Sequence, residues 1–307
     1  MKQIHTRSGF FMRIGIIGGG AVGLLFASYL SDGYQVTLYT RTKEQADVIN
    51  EEGILLIREN KKFYKKVSAM VSENIGGRED LLIVAVKQYH LDKLLPAIRE
   101  SPSPLLFIQN GYSHIQMLEE LPQRHIFLGV VEHGALKHSE NSVEHTGEGV
   151  TKVAAYRGDL DPLQLLCVVV GKFPFVQCED YRQMLLEKLI VNAVINPLTG
   201  ILGIRNGELV ENPYYYRLFK NYFSEISTIL DLESFHTYQE HVEQVCRTTA
   251  NNRSSLLKDL ENRRKTEIDA ILGYVISVAK EKNKGHGLAS AVYWMVKGKE
   301  YQGDDRL

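Results

Sequence analysis

Apolar positions follow two rhythms along this chain, and the change from one to the other divides it. In the first half, short β-branched runs alternate with helical stretches. Arg13–Ile17 reads as a buried strand, Ala21–Leu30 as the helix after it, Gln35–Thr40 as a second strand and Lys43–Glu52 as a second helix. Leu81–Val86 is almost continuously apolar, as a parallel strand buried on both faces should be. A helix over Leu91–Arg99, a strand over Leu105–Gln109, a helix over Ser113–Leu121 and a strand over Ile126–Val131 continue the alternation. Such an order predicts βαβ units and a doubly wound parallel sheet.

Between Gly134 and Ala155 the segments shorten and turn at Glu140–Asn141 and Gly147–Gly149, which predicts antiparallel strands closing the sheet. From about Tyr181 the strand signal is gone. Tyr181–Asn196, Tyr214–Asp231, Tyr238–Asn251 and Thr266–Lys282 carry apolar residues at helical spacing, punctuated by Pro and Gly. The expected organisation is therefore a tail over Met1–Phe11, an α/β domain over 12–179 and an all-helical domain over 180–307.

Composition changes this picture little. A length of 307 residues suits two domains, and 44% hydrophobic with 24% charged residues suits packed cores. A net charge of −1 leaves no overall field to recruit nucleic acid or acidic membranes. Cys167, Cys178 and Cys246 are odd in number and lack C-x-x-C spacing, which fits a reducing cytoplasm better than a disulfide framework. No uninterrupted apolar run reaches the ~18 residues of a bilayer span, and the basic opening is followed by no apolar signal stretch. His133, His138 and His145 lack the helical spacing of a metal site, so no metal is expected.

Candidate chemistry starts at Gly18-Gly19-Gly20-Ala21-Val22-Gly23, a G-x-G-x-x-G run between a predicted strand and a predicted helix. Gly18 suits the tight turn, Gly20 the approach of a pyrophosphate, and Gly23 close packing of helix on strand. Ala21 and Val22 open the helix whose N-terminus would face the phosphates. This is the context of a Rossmann-type doubly wound sheet. At the end of the second strand, where an acid would favour NAD, the chain reads Tyr39-Thr40-Arg41-Thr42. With no acid there and a guanidinium available for a 2′-phosphate, NADP(H) is the expected cofactor. A solvated surface arginine is the plain alternative.

In the second half Lys188, Asn192 and Asn196 recur every four residues and form one polar stripe. Leu189, Ile190, Val191, Val194 and Ile195 cover most of the remaining circumference, so the helix should be buried and the lysine needs a reason. Pro197 predicts an end or kink near Asn196, which would aim that side chain off the stripe. The plain alternative has Lys188 reaching solvent and the asparagines capping loops.

These stretches resemble the ketopantoate reductase (2-dehydropantoate 2-reductase) family from about Met12 to Glu300. Four motifs carry the resemblance: Gly18–Gly23, Ile108-Gln109-Asn110-Gly111, Lys188–Gly200 and Ser254–Asp269. The resemblance implies NADPH-dependent reduction of 2-dehydropantoate to (R)-pantoate, on the route to pantothenate and coenzyme A, in a cleft between the two domains. By motif, Lys188 is similar to the family's catalytic lysine and Glu267 to its active-site glutamate. Asn110, Asn192, Asn196 and Ser255 resemble substrate-binding residues, Ser255 being chosen over Ser254 by its spacing to Glu267. Lys87 resembles a lysine on the cofactor side and Arg41 the 2′-phosphate arginine; Asn110 and Glu267 are implied to touch the cofactor as well. A homodimer is compatible with this reading. Two rivals keep the same motifs: a paralogue reducing another branched 2-oxo acid, and a non-enzymatic NADP(H)-binding sensor.

Overall fold

The structure is a computed structural model that describes residues 12–76, 79–169 and 173–303. The expected tail over Met1–Phe11 lies outside the described residues. The chain divides into two compact units, Met1–Gln109 with Gln116–Met184, and Asn110–Ile115 with Leu185–Leu307.

The first unit begins β1 (Arg13–Ile17), α1 (Ala21–Leu30), β2 (Gln35–Thr40), α2 (Lys43–Glu52), β3 (Ile54–Arg58), β4 (Lys61–Lys65), β5 (Ser68–Val71) and β6 (Leu81–Val84). It continues with α3 (Leu91–Glu100), β7 (Leu105–Phe107), α4 (Ile115–Glu119), whose first residue falls in the second unit, and β8 (Ile126–Val131). It closes with β9 (Gly134–Ser139), β10 (Ser142–Gly147), β11 (Thr151–Arg157), α5 (Asp161–Val169) and β12 (Phe175–Gln177). Eight strands pair in the order β12-β11-β8-β7-β6-β1-β2-β5. All neighbours are parallel except β11 on β8, so the expected doubly wound parallel sheet is present. Its central strands are apolar and buried throughout, β6 and β7 at every residue.

The expected closing strands are corrected in part. Only β11 joins the large sheet; β9 and β10 pair in a separate four-stranded sheet of order β4-β3-β10-β9. Its β3–β4 hairpin had no counterpart in the sequence reading. Glu59 and Asn60 both take positive φ, 50° and 60°, and two such residues are what a tight hairpin turn requires. The strand after it, Lys61–Lys65, is mostly charged and half exposed, so no apolar run announces it. His133 and His145, set aside above as metal ligands, lie in this region: His145 Nδ1 is 2.7 Å from the Tyr29 hydroxyl and its Nε2 is 3.2 Å from His133 Nδ1.

The second unit is helical: α6 (Tyr181–Leu202), whose first turn counts with the first unit, α7 (Glu208–Glu211), α8 (Pro213–Leu230), α9 (Phe235–Thr248), α10 (Ser255–Glu261), α11 (Tyr274–Glu281) and α12 (Gly287–Gly303). Its core gathers Leu189, Ile190, Ala193 and Val194 of α6 with Phe219, Tyr222, Phe223 and Ile226 of α8. By length and composition α6 could cross a membrane, yet 67% of its apolar window is buried inside the protein, as in the core helix of a globular fold.

Pro197 does not end α6, which continues to Leu202. Proline has no N–H, so the Ala193 carbonyl four residues earlier loses its helical partner. Tyr222, fully buried on α8, donates its hydroxyl to that carbonyl at 3.0 Å. The orphan acceptor is thereby satisfied, and the helix passes its proline. A second departure lies at Thr266–Lys282, where one helix was expected. The segment opens instead with a π-helical turn over Asp269–Gly273, and regular α-helix follows only from Tyr274.

Tyr222→Phe should leave the Ala193 carbonyl buried without a donor and lower stability by about 1–3 kcal/mol. Urea unfolding would read this as a lower midpoint with an unchanged slope.

Candidate active site

The strand order of the large sheet reverses at β1, which has β2 on one side and β6 on the other. Open α/β sheets bind ligands outside the carboxyl ends of the strands at such a point. There Ile17 pairs with Val84, and the Gly18 N–H donates to the Tyr39 carbonyl at 2.8 Å. Gly18 has φ +117°, and a Cβ on it would press on Val86 and on the Ala85 backbone. A Cβ on Gly23 would overlap the Gly18 carbonyl oxygen, so helix α1 can follow the turn this closely only with glycine. Gly20 differs: it is exposed, and a Cβ there would meet nothing within 4 Å.

The N-terminus of α1 carries no side-chain cap and no acid in its first turn. Its first N–H groups, at Gly20, Ala21 and Val22, thus combine open space with partial positive charge, and they fit the pyrophosphate of a dinucleotide. Arg41 stands exposed directly after β2. The neighbouring hydroxyls are engaged locally: Thr40 donates to the Thr42 carbonyl at 2.8 Å, and Thr42 accepts from the Gln45 N–H at the start of α2. Lys87 follows β6, half-buried, with its ammonium 6.0 Å from the Tyr89 ring centre. Gln109 went without a role in the sequence reading. Buried at the end of β7, it donates from one amide nitrogen to the carbonyls of Val84 and Val86, at 2.8 and 3.0 Å. That clamp fixes the backbone leading into Lys87. A polar residue ending an apolar strand was the available signal.

In the helical unit, Lys188, Asn192 and Asn196 keep their stripe on α6. Asn192 and Asn196 are buried and Lys188 is half-buried. The expected deflection of Asn196 is not seen: its amide points along the stripe, 3.4 Å from Asn192 Oδ1. It also lies 3.5 Å from the Ser255 hydroxyl. A Cβ on Gly200 would meet the end of the Leu256 side chain, so α10 packs against α6 at this glycine. Ser254 is buried and serves the fold: it accepts from the Leu257 N–H at 3.1 Å as the cap of α10, and its hydroxyl lies 2.7 Å from that of Thr199. Ser255 is the exposed member of the pair.

Asn110 and Glu267 meet in the same unit. Gly111 has φ +87°, and a Cβ there would overlap the Ala270 carbonyl oxygen, so the turn rests directly on the π-helical segment. Tyr112 stacks on Tyr274, ring centres 5.3 Å apart. This docking sets the Asn110 amide 2.9 Å from Glu267 Oε2 and its carbonyl oxygen 3.4 Å from the Asn192 amide. The result is a one-way row: Asn196 donates to Asn192, Asn192 to Asn110, and Asn110 to the Glu267 carboxylate. Its two longer links leave amide and carbonyl capacity for a ligand rich in hydroxyl and carboxylate oxygens. Among the described residues no group of three or more His, Cys, Asp or Glu is disposed to hold a metal.

A glycine turn built for a dinucleotide, together with a helical unit carrying this polar row, defines the class of two-part NAD(P)-dependent oxidoreductases. Residues 14–158 match the family model described as Ketopantoate reductase PanE/ApbA, and residues 180–300 match its C-terminal counterpart. The chain is 39% identical over 295 residues to a 2-dehydropantoate 2-reductase of Listeria innocua, covering 94% of this chain and 97% of that one. The crystal structure of a probable 2-dehydropantoate 2-reductase from Bacillus subtilis superposes with a TM-score of 0.87 at 41% identity, over 94% of this chain and 100% of that one. A ternary structure of D-mandelate dehydrogenase with NADH and anilino(oxo)acetate shares the fold, with a TM-score of 0.86 at 22% identity over 95% and 99% of the two chains. The chain belongs to the ketopantoate reductase family.

The two flanking glycines should answer substitution differently. Gly23→Ala drives a Cβ onto backbone that cannot yield and should cost about 3 kcal/mol or more, or abolish folding. Gly20→Ala should keep stability within about 1 kcal/mol while weakening dinucleotide binding. Thermal unfolding beside cofactor titration checks both.

Proposed function

We propose that this protein reduces 2-dehydropantoate to (R)-pantoate with NADPH, in the cytoplasm, as a step toward pantothenate and coenzyme A. The observation that carries the reading is the polar row from Ser255 through Asn196, Asn192 and Asn110 to Glu267, with Lys188 one helical turn before Asn192 on the same stripe. The cofactor, when bound, supplies the hydride. The Gly20, Ala21 and Val22 N–H groups face its pyrophosphate, and Gly18 makes the turn and Gly23 the close packing that present them. Lys87 serves the cofactor side, and Asn110 and Glu267 contact cofactor as well as substrate. Arg41 pairs with the 2′-phosphate, where an acid would repel it.

On the substrate, negative charge develops at the carbonyl oxygen as the ketone is reduced. The Lys188 ammonium stabilises that charge and then gives up the proton that completes the alcohol. Asn192, Asn196 and Ser255 hold the hydroxyl and carboxylate groups. Glu267, itself held by the Asn110 amide, orients the lysine and the bound ligand.

The direct test is NADPH oxidation with 2-dehydropantoate beside 2-oxoisovalerate, which lacks the hydroxymethyl group. Site groups left unpaired by the shorter acid should lower its kcat/KM by at least ~10-fold. Indifference between the two, or preference for another acid in a panel of 2-oxo acids, would favour the paralogue; tight NADPH binding without turnover would favour the sensor. In the same assay Lys188→Ala should lower kcat by roughly 10²–10⁴-fold with little change in NADPH binding. Near-normal kcat in a folded variant would remove the lysine from the chemistry.

Cofactor choice is tested separately. NADPH should exceed NADH in kcat/KM, and Arg41→Ala should weaken NADPH by about 1.5–3 kcal/mol while hardly touching NADH. Equal losses would show that Arg41 does not read the 2′-phosphate.

A further inference from the structure

Glu267 is a half-buried residue in a short irregular stretch between the loop after α10 and the π-helical turn at Asp269–Gly273. Its neighbours on both sides are gripped by one face of α12. Tyr293, Lys297 and Glu300 are spaced by four and three residues, so they share that face. On the near side of Glu267, the Thr266 N–H donates to Glu300 Oε1 at 2.8 Å, and the Thr266 hydroxyl donates to the same oxygen at 2.5 Å. That hydroxyl also accepts from the Ile268 N–H at 3.2 Å. On the far side, Asp269 accepts from the Tyr293 hydroxyl at 2.7 Å and lies 3.4 Å from the Lys297 ammonium. Lys297 closes the circuit, 2.6 Å from Glu300 Oε2.

We propose that Glu300 is a positioning residue which, with Thr266, Lys297, Tyr293 and Asp269, fixes the backbone around Glu267 and so sets where its carboxylate meets Asn110 and the substrate. The inference rests on the reading of Glu267 as an active-site residue. Thr266 is 1% exposed, and the Glu300 side chain only 11%, so this carboxylate has exchanged water for two bonds to a single residue and one to a lysine. A buried charge is held this way only where its partners are complete. The π-turn gives the brace its purpose. Such turns are rare, and a five-residue run persists where surrounding contacts oppose relaxation to ordinary α-helix. Relaxation would rotate the residues at its start about the helix axis and carry Glu267 away from Asn110. Glu300 acts through Thr266, to which it is bonded twice, and through Lys297.

The test compares Glu300→Ala with Glu300→Gln, whose amide oxygen can still accept both Thr266 bonds. Glu300→Ala should lower kcat with 2-dehydropantoate by ~10–100-fold, the scale of a misplaced catalytic geometry, with the Kd for NADPH nearly unchanged. Glu300→Gln should recover most of that loss. Hydrogen exchange at the amides of 267–273 should quicken in the alanine variant and stay slow in the glutamine variant, a readout that needs no substrate. A kcat in Glu300→Ala close to the parent's, or a loss that Glu300→Gln fails to repair, would overturn the proposal. Should Glu300→Ala fail to fold, Thr266→Val against Thr266→Ser asks the same question with the hydroxyl removed or kept. If the parent protein leaves 2-dehydropantoate untouched, the functional reading fails by itself. The brace is then decided by exchange alone: faster exchange in alanine but not glutamine supports it, and equal protection in both overturns it.

Discussion

The polar stripe of α6 depends on one hydrogen bond made to a different face of its helix. Lys188, Asn192 and Asn196 line up only while α6 stays regular, and Pro197 stands directly after the last of them. A proline in mid-helix withdraws a donor and crowds the carbonyl four residues earlier, which in isolation costs ~3 kcal/mol or more. The Tyr222 hydroxyl supplies the missing donor at Ala193 from within the core. Because the donor comes from α8, the repair holds only when the two helices are packed. Tertiary packing thus sets local helix geometry here, and local helix geometry sets the spacing of the site.

Close approach of backbone does the corresponding work elsewhere. Gly23 lets α1 begin against the Gly18 carbonyl and Gly111 seats the Asn110 turn on the Ala270 backbone, while Gly200 gives room to the Leu256 side chain of α10. Each glycine stands where a Cβ would strike a neighbour, and each lies beside a candidate segment: the start of α1, the Asn110 amide and the Ser255 hydroxyl. Gly20 is the contrast. With open space in front of it, its lack of a side chain meets no packing need within the chain, whereas Gly23 and Gly111 stand against backbone.

What could be read from the sequence divides along the same line. Strands β1, β2 and β8 and helices α1 and α2 were legible because apolar periodicity and turn residues are local signals. The candidate residues came from the family resemblance of their motifs, and the structure brings Asn110, Asn192, Asn196, Ser255 and Glu267 into one row. Other parts were not legible. The β3–β4 hairpin is too charged to read as strand, and β9 and β10 turned to the second sheet because their partner β3 had gone unseen. The passage of α6 through Pro197 depends on a hydroxyl twenty-five residues downstream in the sequence. Glu300 lies a full helix away from the residue it braces, and no spacing rule links it to Thr266. Contacts of long sequence separation, made by single polar atoms, leave no periodic trace.

The polar row itself carries a cost that explains its form. Asn192 and Asn196 are 6% and 8% exposed, yet the links between them and to Asn110 and Ser255 stretch to 3.4 and 3.5 Å. Buried amides joined by long bonds gain little from each bond, and a core selected for stability alone would replace them with apolar side chains of similar size. The row is firm at one end, where Asn110 meets the Glu267 carboxylate at 2.9 Å. Toward Ser255 it loosens. An array anchored at one end and loosely bonded along its length holds its groups in register while keeping bonding capacity for the polar ligand that the proposed function assigns to it.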